Sequence, residues 1–280
     1  MKVLLNLQRC EIIKEKIIKD FKMKTIDLKE KISVIVGGAG DIGSGIVKAL
    51  AEAESITIIV DIDNINGQNL TKQIKEKYGI DSLFYHCDIT KRNEVKDTIE
   101  IIYDRFKIID LLVYSVGYSS FAEFTNLSDE QWDKAMLINL KGAFYFIQEC
   151  MPKMLERQKG NIIIIGSTTS INGSGGGAHY AVSKIGLLGL MKSITYDLLS
   201  KGIRINTVSP GVIDTKMLRL RYPDRPDINK KIIEGIPLGR MGTHEDIGNI
   251  VAFLASDISE YICGQEIIAD GGRIIYRRPK

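Results

Sequence analysis

From about residue 31 the chain alternates between short apolar runs and longer stretches with apolar residues at helical spacing. Ile32–Val36, Ile56–Val60, Ser82–Cys87, Asp110–Ser115, Asn161–Gly166, Arg204–Val208 and Glu266–Ala269 read as strands. Between them, Ile42–Ala53 sets Ile42, Ile46, Val47 and Leu50 on one helix face. Asn66–Tyr78, Glu94–Phe106, Asp129–Leu140, Ala143–Arg157, Ala178–Ser200 and Glu245–Ala255 also read as helices. Strands that are apolar at successive positions are buried on both faces, and strands separated by helices pair in parallel. The pattern therefore predicts a three-layer α/β fold with a doubly wound parallel sheet of about seven strands. It forms one domain over residues 25–280, and residues 1–24 are an extension outside the pattern. In that extension Ile12, Ile13, Ile17 and Phe21 fall at helical spacing, which leaves a short basic amphipathic helix or a frayed tail.

Composition narrows the class without naming a chemistry. The 280 residues are 44% hydrophobic and 26% charged, as in an ordinary globular protein. A formal charge of +3 gives no reason to expect a nucleic-acid partner. Cys10, Cys87, Cys150 and Cys263 are far apart and form no C-x-x-C pair, so neither a metal site nor a disulfide framework is expected. No apolar run approaches the ~18 residues of a membrane helix. The N-terminus lacks the apolar core and small-residue cleavage site of a secretory signal. A cytoplasmic location fits these features.

The first candidate site is Val36-Gly37-Gly38-Ala39-Gly40-Asp41-Ile42-Gly43, which joins the first strand to the first helix. Glycines there let backbone N–H groups approach a pyrophosphate at a helix N-terminus. Gly37, Gly40, Asp41, Ile42 and Gly43 are the expected contacts. Asp61 ends the second strand, 24 residues after Gly37, with Ile62 beside it. An acid there accepts both ribose hydroxyls of a dinucleotide and repels a 2′-phosphate. No Arg or Lys lies between Val36 and Gly43, so NAD is expected over NADP. The neighbouring Asp63 reads as a turn acid.

A second candidate is Ser167, 13 positions before Tyr180, which is followed by Lys184. Residues four apart meet on one helix face. A phenol has a pKa near 10, so it needs help to act as an acid–base at neutral pH. An ammonium about 4 Å away would lower it by about 3 units. That spacing by itself is common on helices; the other motifs give it weight.

With the glycine loop, Asp61, Ser167, Tyr180 and Lys184 in this order, the chain resembles the short-chain dehydrogenase/reductase family over about residues 25–272. Within the family it looks most like the bacterial 3-oxoacyl-carrier-protein reductase and glucose dehydrogenase group. Further matches are Cys87-Asp88-Ile89-Thr90, Ile138-Asn139-Leu140, the segment Asn206 to Thr215 and the ending Asp270-Gly271-Gly272. The resemblance implies a Rossmann fold and hydride transfer between a nicotinamide cofactor and a secondary alcohol or ketone. It implies Tyr180 as acid–base and Lys184 as the cation that lowers its pKa and binds the nicotinamide ribose. Ser167 would orient the substrate oxygen, and Asn139 would support a proton-relaying water. It also implies cofactor contacts at Asp88, Ile89, Ser115, Gly117, Pro210, Gly211, Ile213 and Thr215, and a homotetramer.

Three departures stand out against that pattern. Val36 replaces a threonine. Asp41 replaces a glycine, where it suits the helix dipole yet brings negative charge near the pyrophosphate. Tyr114-Ser115-Val116-Gly117 replaces Asn-Asn-Ala-Gly and keeps only the glycine. A non-catalytic dinucleotide sensor on the same fold is the alternative, disfavoured by the intact Asn139, Ser167, Tyr180, Lys184 set. A sugar-nucleotide epimerase would need a further C-terminal domain. Substrate-lining residues are expected near Tyr118–Phe124, Ser170–Gly177 and after Thr215. Residues 216–236 carry Lys216, Arg219, Arg221, Arg225, Lys230 and Lys231, which raises an anionic substrate with Arg219 or Arg221 as its partner.

Overall fold

The computed structural model describes residues 25–221 and 226–275. Seven strands, β1 (Ile32–Val36), β2 (Ile56–Asp61), β3 (Leu83–His86), β4 (Leu111–Tyr114), β5 (Gly160–Ile165), β6 (Ile203–Pro210) and β7 (Glu266–Ala269), form one sheet. All neighbours are parallel, in the order β3-β2-β1-β4-β5-β6-β7. The order reverses between β1 and β4, where open α/β sheets bind ligands beyond the strand C-termini.

The helices are α1 (Asp41–Glu52), α2 (Asn64–Tyr78), α3 (Arg92–Phe106), α4 (Asp129–Ala135), α5 (Gly142–Arg157), α6 (Thr169–Asn172), α7 (Ala178–Leu198), α8 (Lys216–Arg221), α9 (Pro226–Glu234) and α10 (His244–Ala255). Side chains alternate across a strand, so Val34 and Val36 enter one core layer and Ile35 the other. Helices α3, α5 and α7 cover the first layer with Ile99, Phe146 and Leu187. Helices α1, α2 and α10 cover the second with Ile46, Ile74 and Ile247. The central strands β1, β4 and β5 are thereby buried on both faces, as the unbroken apolar runs predict, and the edge strands β3 and β7 are partly exposed. Among the described residues no helix is long and apolar enough to cross a membrane.

The structure departs from the sequence pattern in two places. The predicted break between Leu140 and Ala143 does not exist: α4 runs through a π-helical stretch, Met136–Lys141, straight into α5. Gly142 is a poor helix former, but its small size is what this position needs, as shown below. Three short helices, α6, α8 and α9, lie in segments too short or too charged to show a period. The extension, including Glu11–Phe21, lies outside the described residues.

Candidate active site

The glycine loop is built by close approach. Gly37 has φ +75°, and a Cβ on it would come within 2.8 Å of the Ser115 carbonyl oxygen. A Cβ on Gly43 would sit 2.0 Å from the Gly37 carbonyl oxygen, so α1 presses on the loop only because that position is bare. Gly40 is the N-cap of α1 and makes no side-chain cap. Asp41, the first residue of α1, turns its carboxylate away from the helix start. Its carboxylate accepts the backbone N–H of Lys216, the first residue of α8, and so joins the loop to a distant helix.

Asp61 ties the loop to the turn after β2. One carboxylate oxygen accepts the Ala39 N–H at 3.0 Å and the other the Asp63 N–H at 3.1 Å. Each oxygen keeps a lone pair. Ile62 is exposed beside it. Asp63 caps α2 through the Asn66 N–H, as a turn acid should. Asp88 accepts the N–H and hydroxyl of Thr90, which hold its carboxyl below the usual range, and Ile89 follows it past β3. Ser115 Oγ is buried with no hydrogen-bond partner among the described residues. That orphan hydroxyl and the bare glycine cradle fit a dinucleotide laid across the C-terminal edge of the sheet.

Beyond β5 the Ser167 hydroxyl accepts the Thr169 N–H at 3.2 Å and donates to Thr169 Oγ1 at 3.1 Å, which fixes its orientation. Tyr180 and Lys184 lie in the first two turns of α7. Lys184 is 2% exposed and donates to the carbonyls of Val116 at 3.1 Å and Ile165 at 2.9 Å. Its Nζ sits 5.7 Å from the centroid of the Tyr180 ring. Burial lowers the Lys184 pKa to about 8. The expectation that this ammonium alone lowers the Tyr180 pKa is corrected. Burial pushes the phenol above its ordinary value, and the Ser167 hydroxyl works against that push. Helical spacing brings the pair together, but the lysine is anchored to two carbonyls, in a site dry enough to penalise both charged forms.

Asn139 is fully buried in the π-helical stretch. Its Oδ1 accepts the Tyr118 N–H at 2.7 Å, and its Nδ2 donates to the Tyr118 carbonyl and to Ser183 Oγ at 2.8 Å. Ser183 in turn donates to the Tyr180 carbonyl. The amide is fully engaged with protein, so any water it supports would have to be held by the surrounding backbone.

Ser167 and Tyr180 face a cavity of about 400 Å³. All three expected segments contribute, through Phe121, Ser174 and Met217 among others. Pro210, Gly211, Ile213 and Thr215 line it too. Thr215 Oγ1 accepts the Leu218 N–H and so caps α8, while Gly117 leaves room above Lys184. Arg219 pairs with Asp214 at 3.0 Å on the exposed surface, and does not line the cavity. The side chain of Arg221 lies outside the described residues.

Two features escaped the sequence reading. His179 is buried and its Nε2 accepts the Ser120 N–H at 3.2 Å, which pins the loop after β4 against α7. Arg273 lines the cavity from the turn after β7. Its only local signal is a cation directly after Asp270-Gly271-Gly272.

A family model described as enoyl-(acyl carrier protein) reductase matches residues 37–273. The 3-oxoacyl-(acyl-carrier-protein) reductase FabG of Rickettsia conorii is 37% identical over 251 residues, covering 89% of this chain and 99% of that one. The Thermotoga maritima reductase of the same name is 34% identical over 250 residues, covering 89% and 99%. The crystal structure of gox2181 superposes with a TM-score of 0.85 at 29% identity, covering 90% of this chain and 98% of that one.

Proposed function

Because the chain belongs to the short-chain dehydrogenase/reductase family, we propose that Tyr180 is its acid–base, Ser167 its substrate-orienting hydroxyl and Lys184 its buried cation. The protein is an oxidoreductase that moves a hydride between a nicotinamide cofactor and a secondary alcohol or ketone. The relatives support this over a non-catalytic sensor. One observation supports the assignment of roles above the others. Ser167 and Tyr180 share one cavity wall, and Lys184 is buried beside the phenol with two of its three N–H bonds held by carbonyls.

The nicotinamide supplies or accepts the hydride when bound. During reduction the Tyr180 hydroxyl gives its proton to the carbonyl oxygen, which the Ser167 hydroxyl also holds. The third N–H of Lys184 is available to a ribose hydroxyl. A phenolate at neutral pH is opposed by burial and favoured by the Ser167 hydroxyl, so the protonated phenol is the form that this site holds as a donor. Asn139 acts as a positioning residue that locks the Tyr118 backbone to α7, and the π-helical backbone around it would hold the proposed relay water.

NAD is the proposed cofactor. Asp61 would accept the adenosine ribose hydroxyls, and no cation in the glycine loop would neutralise a 2′-phosphate. Residues 25–280 are the proposed catalytic domain, so a chain starting at Met23 should keep full turnover; lost activity would refute the boundary. A homotetramer is also proposed. Leu187, Leu188 and Met191 of α7 are spent on this subunit's own core, but Val182 and Ile185 are half exposed. Light scattering at micromolar concentration should read four chains, and one chain would refute it. The decisive experiment for function is turnover of a panel of ketones with NADH and with NADPH. No reduction of any ketone would sink the reading.

A further inference from the structure

We propose that Arg273 is a specificity-determining residue that binds a carboxylate carried by the oxo or hydroxy substrate. The inference rests on the reductase reading of the same cavity and adds the substrate's charge.

Arg273 is the one charged residue among the described residues lining the 400 Å³ cavity that holds Ser167 and Tyr180. The other described lining side chains are hydroxyls, an amide and apolar groups. Its Nη1 is buried and has no hydrogen-bond partner among the described residues. A buried guanidinium N–H without an acceptor is costly, and structures rarely keep one without a use.

The obvious internal partners are engaged elsewhere. Asp270, three residues upstream, accepts the N–H of Gly272 at 2.8 Å and of Ile274 at 2.7 Å. Both oxygens thus close the turn that carries Arg273 rather than neutralising it. Gly271 and Gly272, at φ +63° and +85°, allow that turn. Glu266, at the start of β7, accepts the Ser209 and Ser170 hydroxyls with one carboxylate oxygen. Arg273 is held by a braced turn at the cavity wall, where a bond from its guanidinium to an ionised ligand is charge-assisted and strong.

The chemistry selects the ligand. A guanidinium fork matches the two oxygens of a carboxylate. One cation and no other charge among the described lining residues match one negative charge, which favours a carboxylate over a phosphate dianion. A neutral acyl chain would leave Nη1 unpaired. This reading replaces Arg219, whose guanidinium is held by Asp214 outside the cavity.

Reduction of acetoacetate and of methyl acetoacetate by the enzyme at saturating NADH tests the idea. The two differ by one charge at similar size. Wild type should favour the acid in kcat/KM. Arg273→Met should lower the acid-to-ester ratio roughly tenfold to hundredfold. Arg273→Lys should restore part of the ratio, which a purely structural role would not do. An unchanged ratio in Arg273→Met overturns the proposal. If neither compound is reduced, the reductase reading fails for both and the charge question passes to calorimetry. Acetoacetate titrated into the NADH complex should then bind wild type and not Arg273→Met; no binding to wild type overturns the proposal. Inorganic phosphate that binds wild type more tightly than acetoacetate, and loses binding in Arg273→Met, overturns the choice of a carboxylate.

Discussion

The Tyr114 hydroxyl donates a hydrogen bond to the carbonyl of Ile138, the residue before Asn139. Tyr114 ends β4 and is fully buried; Ile138 lies in the π-helical stretch. Burial pushes the phenol well above its ordinary pKa, so it stays a donor at all working pH. A Cβ at position 142 would come within 2.4 Å of its oxygen, which explains a glycine in the middle of a helix. In the sequence, tyrosine at 114 reads as a lost asparagine under the nicotinamide ribose. In the folded protein it braces the turn that carries Asn139.

Tyr114→Phe should therefore cost about 1–3 kcal/mol, the range for orphaning one buried carbonyl. It should lower kcat as well, because Asn139 loses its brace. Urea midpoints and steady-state rates measure both. Wild-type values for the two would show that the bond does not support the site.

Tyr180→Phe should lower kcat by roughly 10²–10⁴, the usual contribution of a positioned acid–base. NADH affinity should stay within a few-fold of wild type. A variant keeping more than about a tenth of kcat, a barrier change under ~1.4 kcal/mol, would remove Tyr180 from the role.

Asp61→Ala should raise KM for NADH and narrow the preference for NADH over NADPH, since repulsion of a 2′-phosphate is relieved. Loss of the Ala39 and Asp63 N–H acceptors should loosen the loop and weaken both cofactors somewhat. The ratio of kcat/KM values is therefore the informative quantity. Wild-type preference for NADPH would contradict the assignment.

Lys184→Met should change stability in a pH-dependent way. The folded pKa of Lys184 is about 8, below the ~10.4 of an unfolded lysine. Between these values the unfolded chain binds more protons, so wild-type stability gains from rising pH. Below pH 8 the full cost of burying the ammonium is present. The stability of Lys184→Met relative to wild type should thus fall by on the order of 3 kcal/mol from pH 7 to above pH 10. Paired urea titrations at both ends would read the change, and a constant difference would show that the burial cost is absent.

Asp41→Asn should act on two sites in opposite senses. Removing a negative charge beside the pyrophosphate should tighten NADH binding a few-fold. Asparagine still offers an oxygen to the Lys216 N–H, whereas Asp41→Ala does not and should fray α8 and raise KM for the ketone. Fluorescence titration of NADH and substrate kinetics separate the effects. Equal behaviour of the two variants would mean that the link to Lys216 is idle.

Much of this protein is legible along the chain. Short unbroken apolar runs such as Ile32–Val36 and the α1 face of Ile46, Val47 and Leu50 are local patterns, and burial enforces them. The glycine loop, Asp61, Ser167 and the Tyr180–Lys184 spacing are local as well, because each sits at the end of one strand or on one helix face. What the sequence could not decide depends on partners far apart in number. Asp41 reads as a helix-start acid until Lys216 arrives. Tyr114 reads as a missing asparagine until Ile138 meets it. The Tyr180 pKa depends on how dry its surroundings are, and spacing to Lys184 does not record that. Arg219 and Arg273 are both cations near the expected pocket. Asp214 holds the first outside the cavity, and the Asp270 turn sets the second on its wall. Local periodicity determines which face of each element is buried. Only the packing of elements in three dimensions decides which charges meet, which lose water, and which are left in the cavity without a partner.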